Sequence, residues 1–251
     1  MTPWNPPPED LRLSPEHVEV WRISTSLSDE EVEAFNAVLS PEQRARSERI
    51  RVVEKRRQYI ITQGLTRILL ARVLDAEPNA LEFVRGPKGK PYLSGAFADA
   101  GVQFNMTHTS HMALIAVTLN REVGVDIERI RDNLQWDKLA RRYFSPLEYR
   151  DFSSLPQSVR LGAFFTLWTR KEAVLKAIGT GLGGGLGSFD VSVDPDAAPA
   201  LMDNRWNGRF RGDWTITPLE PGTGYVGTLV TERDGFGVRC WEANRYVVGG
   251  M

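Results

Sequence analysis

Residues 164–182 read FFTLWTRKEAVLKAIGTGL, and the fold turns on taking them as a helix. At helical spacing Leu161, Phe165, Trp168, Glu172 and Leu175 fall on one stripe, the steps of four and three that mark a buried face. A carboxylate then stands in an apolar row. Burying an unpaired carboxylate is very unfavourable, so Glu172 must be neutral, ion-paired or bound to a metal. The rest of the chain has to supply what it faces.

Working outward, residues 124–128 read GVDIE within the strand-like REVGVDIERI. Asp126 and Glu128 are two apart, so on a strand both leave from one face, and Val125 and Ile127 leave from the other. Two carboxylates on one face repel unless a cation sits with them. Joined by Glu172 they form three hard oxygen donors, a set suited to Mg²⁺, with Mn²⁺ an alternative. The plain alternative is a solvated D-x-E strand paired with Arg129 or Arg131. Lys176 lies one turn beyond Glu172, either as its i,i+4 ion-pair partner or as a cation for a phosphate. Glu148 has a structural reading too: in Ser145-Pro146-Leu147-Glu148 it is the third helical residue of a capping box.

Three such Ser-led boxes punctuate the chain, at Ser28–Glu31, Ser40–Gln43 and Ser145–Glu148, and two carry Pro at the first helical position. Strands are expected at VEVWRI (18–23), LEFV (81–84), within QFNMTHTS (103–110) ahead of His108, and at HMALIAVTL (111–119, a central strand), FDVSV, RWNGRF, DWTITPL, YVGTLV and GFGVRCWEA. Helices are expected from 29, from 41 to about 74 with one break, near 134–142, from 146, and from about 157 to 178. Strands and helices in this order indicate α+β rather than regular βαβ winding. The reading is of two subdomains, 1–122 with an irregular Pro-rich leader over 1–15, and 123–251.

The bulk properties narrow the function. The 251 residues carry a formal net charge of -1, which argues against a general nucleic-acid binder. A single cysteine, Cys240, excludes a disulfide framework and a multi-cysteine zinc site, and fits a reducing, cytoplasmic setting. No apolar run reaches membrane-spanning length and no signal peptide is visible. Residues 41–60 hold seven basic residues against three acidic, a local excess suited to an anionic ligand or an acidic partner. Gly179, Gly181 and Gly184 formally match G-x-G-x-x-G. They follow a helix and precede a strand, the reverse of a dinucleotide site, and no Lys-Ser/Thr ends the run as in a P-loop. Gly179 reads as a helix C-cap.

Five motifs in order resemble the Sfp-type 4′-phosphopantetheinyl transferases over about residues 40–190. They are Gly89-Lys90-Pro91, F-N-x-[ST]-H at Phe104–His108, G-x-D-x-E at Gly124–Glu128, F-S-x-x-E at Phe144–Glu148, and W-x-x-K-E-A-x-x-K at Trp168–Lys176. The resemblance implies one monomeric chain of two similar α+β subdomains related by a pseudo-twofold, with coenzyme A in the cleft between them. It implies transfer of 4′-phosphopantetheine from coenzyme A to a serine of an apo acyl or peptidyl carrier protein, releasing adenosine 3′,5′-bisphosphate. Carried over by motif, Asp126, Glu128 and Glu172 would hold Mg²⁺ on the pyrophosphate, and Lys176 would bind a pyrophosphate oxygen. Lys90 would sit near the adenine and phosphates, and Thr107, His108 and Arg46 at the 3′-phosphate and nearby groups. Gln43 stands where some members have lysine, so that one phosphate contact is either missing or supplied by Arg44 or Arg57. Glu172 is the first choice of base, directly or through a water, and Glu148 the second. A non-catalytic coenzyme- or carrier-binding homologue is the alternative, and another Mg²⁺-dependent phosphotransferase or nuclease a third reading.

Overall fold

The computed structural model describes residues 3–181, 185–194, 197–204 and 213–243. Its elements in chain order are β1 (Trp4–Asn5), β2 (His17–Ser24), α1 (Asp29–Ala37), α2 (Pro41–Glu48), α3 (Val53–Val73), β3 (Glu82–Arg85), β4 (Pro91–Ser94), β5 (Val102–Thr109), β6 (Met112–Leu119) and β7 (Val123–Arg129). There follow α4 (Trp136–Tyr143), α5 (Pro146–Ser154), α6 (Gln157–Ile178), β8 (Phe189–Val191), β9 (Leu201–Asn204), β10 (Trp214–Leu219), β11 (Tyr225–Glu232) and β12 (Gly237–Glu242). The class is α+β, as expected. Two compact units result. The first comprises Thr2–Arg85, Pro91–Asn120 and Phe236–Met251; the second, Gly86–Lys90 and Arg121–Gly235.

All three capping boxes form. Ser28, Ser40 and Ser145 each accept a bond from the backbone of the third helical residue, whose own side chain bonds back. Each box satisfies two of the amide groups that a helix start leaves orphaned. They set where α1, α2 and α5 begin. The basic helical region breaks once, between α2 and α3, as its sequence suggested.

In the first unit the sheet order is β1-β12-β2-β6-β5. Ala113–Val117 of β6 are fully buried, as suits an interior strand. β12 runs parallel to β2, pairing Cys240 with Val20, and the leader adds Trp4–Asn5 to its other edge. Against this sheet α3 lays Ile61, Leu65 and Leu69, and α1 lays Phe35, on Phe104 and Ile115. Each such large apolar side chain taken from water contributes about 1.5–3 kcal/mol.

In the second unit β10-β11-β7 form an antiparallel sheet with α6 across β7 and β11. The hydroxyls of Thr169 on α6 and Thr228 on β11 meet at 2.9 Å. Phe144, Phe152 and Phe164 close the far side of α6 with tilted and edge-on ring contacts. Here the single-stripe reading needs correcting. Helix α6 is buried nearly all round, with Phe164, Leu167, Lys171 and Val174 as deep as Phe165 and Leu175. Leu161, Trp168 and Glu172 are only half-buried, so Glu172 stands on the more open side of a core helix. β9 had no counterpart in the strand reading, and RWNGRF lies outside the described residues. No helix among the described residues is long and apolar enough to cross a membrane.

Candidate active site

Strand β7 and helix α6 meet at Gly124. A Cβ built there would lie 2.1 Å from the Ala173 carbonyl oxygen and 2.3 Å from the Ala177 amide nitrogen. No side chain can occupy that space, so the first residue of G-x-D-x-E is glycine for a packing reason. This contact sets the distance between the strand that carries Asp126 and Glu128 and the helix that carries Glu172 and Lys176. Val125 and Ile127 are buried, as the alternation predicted.

The four side chains interact. Lys176 Nζ donates to Asp126 Oδ1 at 2.6 Å and to the Val125 carbonyl at 3.2 Å. Burial pushes the Glu172 carboxyl up to about 7; the negative charges of Asp126 and Glu128 add to the rise and Lys176 opposes it. An acid that burial raises to about neutrality can take or give a proton at physiological pH. The donor chemistry fits a hard divalent cation: three carboxylates from two elements, mutually repelling, beside one ammonium. Among the described residues, no three acidic, His or Cys side chains are gathered in a metal-binding arrangement.

Glu148, the second candidate base, has a different occupation. Lys171 Nζ donates to both its carboxylate oxygens, at 2.6 and 2.7 Å, and the Val191 and Ser145 amides donate to it at 2.9 Å each. The Lys171 and Glu148 side chains are 0% and 1% exposed. A carboxylate held by four hydrogen bonds from three donors, away from solvent, is a structural anchor. It joins the start of α5 to the middle of α6 and to β8. Sequence spacing saw the capping box and missed the ion pair, whose partners are 23 residues apart.

Lys90, expected near the adenine and phosphates, makes three bonds within the protein. Its ammonium donates to Glu122 Oε2 (2.6 Å), the Val123 carbonyl (3.0 Å) and the Ala177 carbonyl (2.8 Å). Burial lowers its pKa, with Glu122 working against the shift.

The remaining candidates lie in the first unit. Arg46 projects over the Tyr59 ring, 5.7 Å from its centroid, at a cavity of about 690 Å³ also lined by Gln43, Arg67, Arg85 and Phe104. Gln43 cannot stand in for a lysine there, because its side-chain oxygen accepts from Arg67 Nε at 2.5 Å. Arg57 is engaged elsewhere, donating to Asp29 and to the Leu27 carbonyl at the start of α1. Thr107 is buried and His108 exposed on adjacent positions of β5, so they leave opposite faces of that strand.

These arrangements sit on stretches that match known proteins. Residues 122–230 match the model of the 4′-phosphopantetheinyl transferase superfamily, and residues 24–120 that of the 4′-phosphopantetheinyl transferase N-terminal region. The 4′-phosphopantetheinyl transferase HetI of Nostoc sp. is 32% identical over 239 residues, 95% of this chain and 98% of its own. The 4′-phosphopantetheinyl transferase Sfp of Bacillus subtilis is 30% identical over 176 residues, 70% of this chain and 75% of its own. This chain belongs to the 4′-phosphopantetheinyl transferase family of enzymes, as its five motifs implied. Among solved structures, a holo-[acyl-carrier-protein] synthase of Helicobacter pylori in complex with coenzyme A overlaps 44% of this chain and 99% of its own, at 19% identity and a TM-score of 0.33, too slight a likeness to argue from.

Proposed function

We propose that this enzyme transfers the 4′-phosphopantetheinyl group of coenzyme A to a serine hydroxyl of an apo acyl or peptidyl carrier protein, as a cytoplasmic monomer dependent on Mg²⁺. The observation that carries the reading is the electrostatic cluster of Asp126, Glu128, Glu172 and Lys176, in a chain of this family. Asp126, Glu128 and Glu172 would hold the cation. Bound there, it would neutralise charge on the pyrophosphate as the leaving group departs. Lys176 adds a positive charge beside the carboxylates for a pyrophosphate oxygen. Arg46, Thr107 and His108 are the proposed contacts of the 3′-phosphate and its surroundings.

The serine oxygen attacks the β-phosphorus, the bond to adenosine 3′,5′-bisphosphate breaks, and the hydroxyl proton must leave. Glu172, directly or through a metal-bound water, is the proposed acceptor. Glu148, buried and paired with Lys171, is not the base we propose.

The test is incubation with coenzyme A, Mg²⁺ and a panel of apo carrier proteins, read by intact mass. A phosphopantetheine-sized gain on at least one carrier is expected, absent without the metal. If a known family member modifies the panel and this protein modifies none of it, the reading fails. Coenzyme binding without turnover would instead indicate a non-catalytic homologue, which the complete carboxylate set argues against.

A further inference from the structure

The segment Gly86–Lys90 is a tight turn. The Gly86 amide donates to the Lys90 carbonyl at 2.8 Å, and the Gly89 amide to the Gly86 carbonyl at 2.9 Å. Gly89 has a φ of 91°, a conformation in which glycine is at ease. The turn presents Lys90, whose side chain is 4% exposed, with its ammonium spanning the crossing of two elements. One acceptor, the Val123 carbonyl, belongs to β7 and neighbours Gly124. Another, the Ala177 carbonyl, belongs to the last turn of α6, where carbonyls lack helical partners and a cation is favourable. Ala177 is also the residue whose amide stands 2.3 Å from the missing Gly124 Cβ. An ammonium has three donors. All three are spent on protein acceptors, and none remains for a ligand phosphate.

We propose that Lys90 is a positioning residue: it clamps β7 to the end of α6 at the Gly124 crossing and so sets the spacing between Asp126 and Glu128 on the strand and Glu172 and Lys176 on the helix. Gly124 lets the two backbones approach, and Lys90 holds them there. Without the clamp, two buried carbonyls lose the Lys90 ammonium, and the carboxylates on the two elements lose one of the contacts that set their distance. The role accounts for a lysine, since one compact ammonium meets three acceptors converging from different segments. The planar guanidinium of arginine does not reproduce that geometry.

The kinetic arm of the test rests on the transfer reaction proposed above; the exchange arm does not. Lys90→Met and Lys90→Arg are compared with the wild type in coenzyme A affinity by calorimetry without carrier, in kcat at saturating coenzyme A, in Mn²⁺ binding by electron paramagnetic resonance, and in amide hydrogen exchange. For a positioning residue, both variants keep coenzyme A affinity within about threefold. They lose about 10–100-fold in kcat or Mn²⁺ affinity, the range seen when residues that orient metal ligands are removed. Amides of β7 and the last turn of α6 exchange about tenfold faster or more. A loss of coenzyme A affinity in Lys90→Met that Lys90→Arg restores, with kcat unchanged, would make Lys90 a ligand contact and overturn the proposal. Wild-type exchange in both variants overturns it as well. If Lys90→Met does not fold, Lys90→Arg decides alone, because a ligand contact survives that change and the clamp does not. A wild type that transfers nothing sinks the proposed reaction, and the exchange result still decides the clamp.

Discussion

Replacing Gly124 by alanine adds one methyl where strand β7 and helix α6 meet backbone to backbone. The new carbon would stand 2.1, 2.3 and 2.9 Å from Ala173 O, Ala177 N and Ala177 Cα. All three are helix backbone atoms, so no side chain can rotate away. To reach an ordinary contact of 3.4 Å along the shortest of these lines, α6 must retreat by about 1.3 Å (3.4 − 2.1). Overpacking of this kind costs about 1–3 kcal/mol, against which the alanine recovers at most ~1 kcal/mol of backbone entropy. Activity should suffer more than stability. A shift of about 1 Å in a positioned group is enough for ~10²-fold in rate, and this one moves Glu172 and Lys176 together relative to Asp126. The control is Gly162→Ala, a glycine in the same helix with nothing within 4 Å of its would-be Cβ. That change should stabilise by up to ~1 kcal/mol and leave turnover alone. Urea unfolding and kcat at saturating coenzyme A measure both effects. A Gly124→Ala protein with wild-type stability and rate would refute the argument that this crossing sets the site.

Three further outcomes are expected. Lys171→Ala should destabilise by about 3–5 kcal/mol in urea unfolding by stranding the buried Glu148 charge, and Glu148→Leu/Lys171→Met should recover part of that; a loss under ~1 kcal/mol would contradict the anchor role. In EDTA-treated protein, the Glu172 carboxyl titrates near 7 when folded and near 4.5 when unfolded, so the native state binds more protons between those values and stability falls as pH rises through them. Glu172→Gln should remove that fall and gain on the order of 1–2 kcal/mol at pH 8 over pH 5 relative to wild type, the full shift being discounted for the side chain's partial exposure, while transfer drops ~10²-fold or more. Asp126→Asn should raise the half-saturating Mg²⁺ concentration about 10–100-fold in the transfer assay, and an unchanged metal dependence would remove Asp126 from the ligand set.

Much of this was legible along the chain because it is local. A capping box is written within four residues, so Ser28, Ser40 and Ser145 announced the starts of three helices. Period-two alternation put Asp126 and Glu128 on one face of a strand and Val125 and Ile127 on the other. The five motifs identified the family, since their residue types and order are read without coordinates. Periodicity served less well for α6. A helix buried on nearly every side has no single stripe, and choosing the row that contained Glu172 picked out its more open side.

What the tertiary structure decided depends on partners far apart in sequence. Nothing near Glu148 says that Lys171 will spend its charge on it, or near Lys90 that Val123 and Ala177 will take the donors expected to face a phosphate. Gln43 looked like a missing lysine and turned out to be an acceptor for Arg67. Three helix starts, the α+β class, the family and the acidic residues to consider were written along the chain. Only the tertiary structure decided which charges neutralise one another inside the protein and which stand beside one another on the open side of α6. The physical reason is that an ammonium or carboxylate takes its role from the acceptors and donors within about 3 Å of it, and those are set by packing, of which the Gly124 crossing is the clearest case.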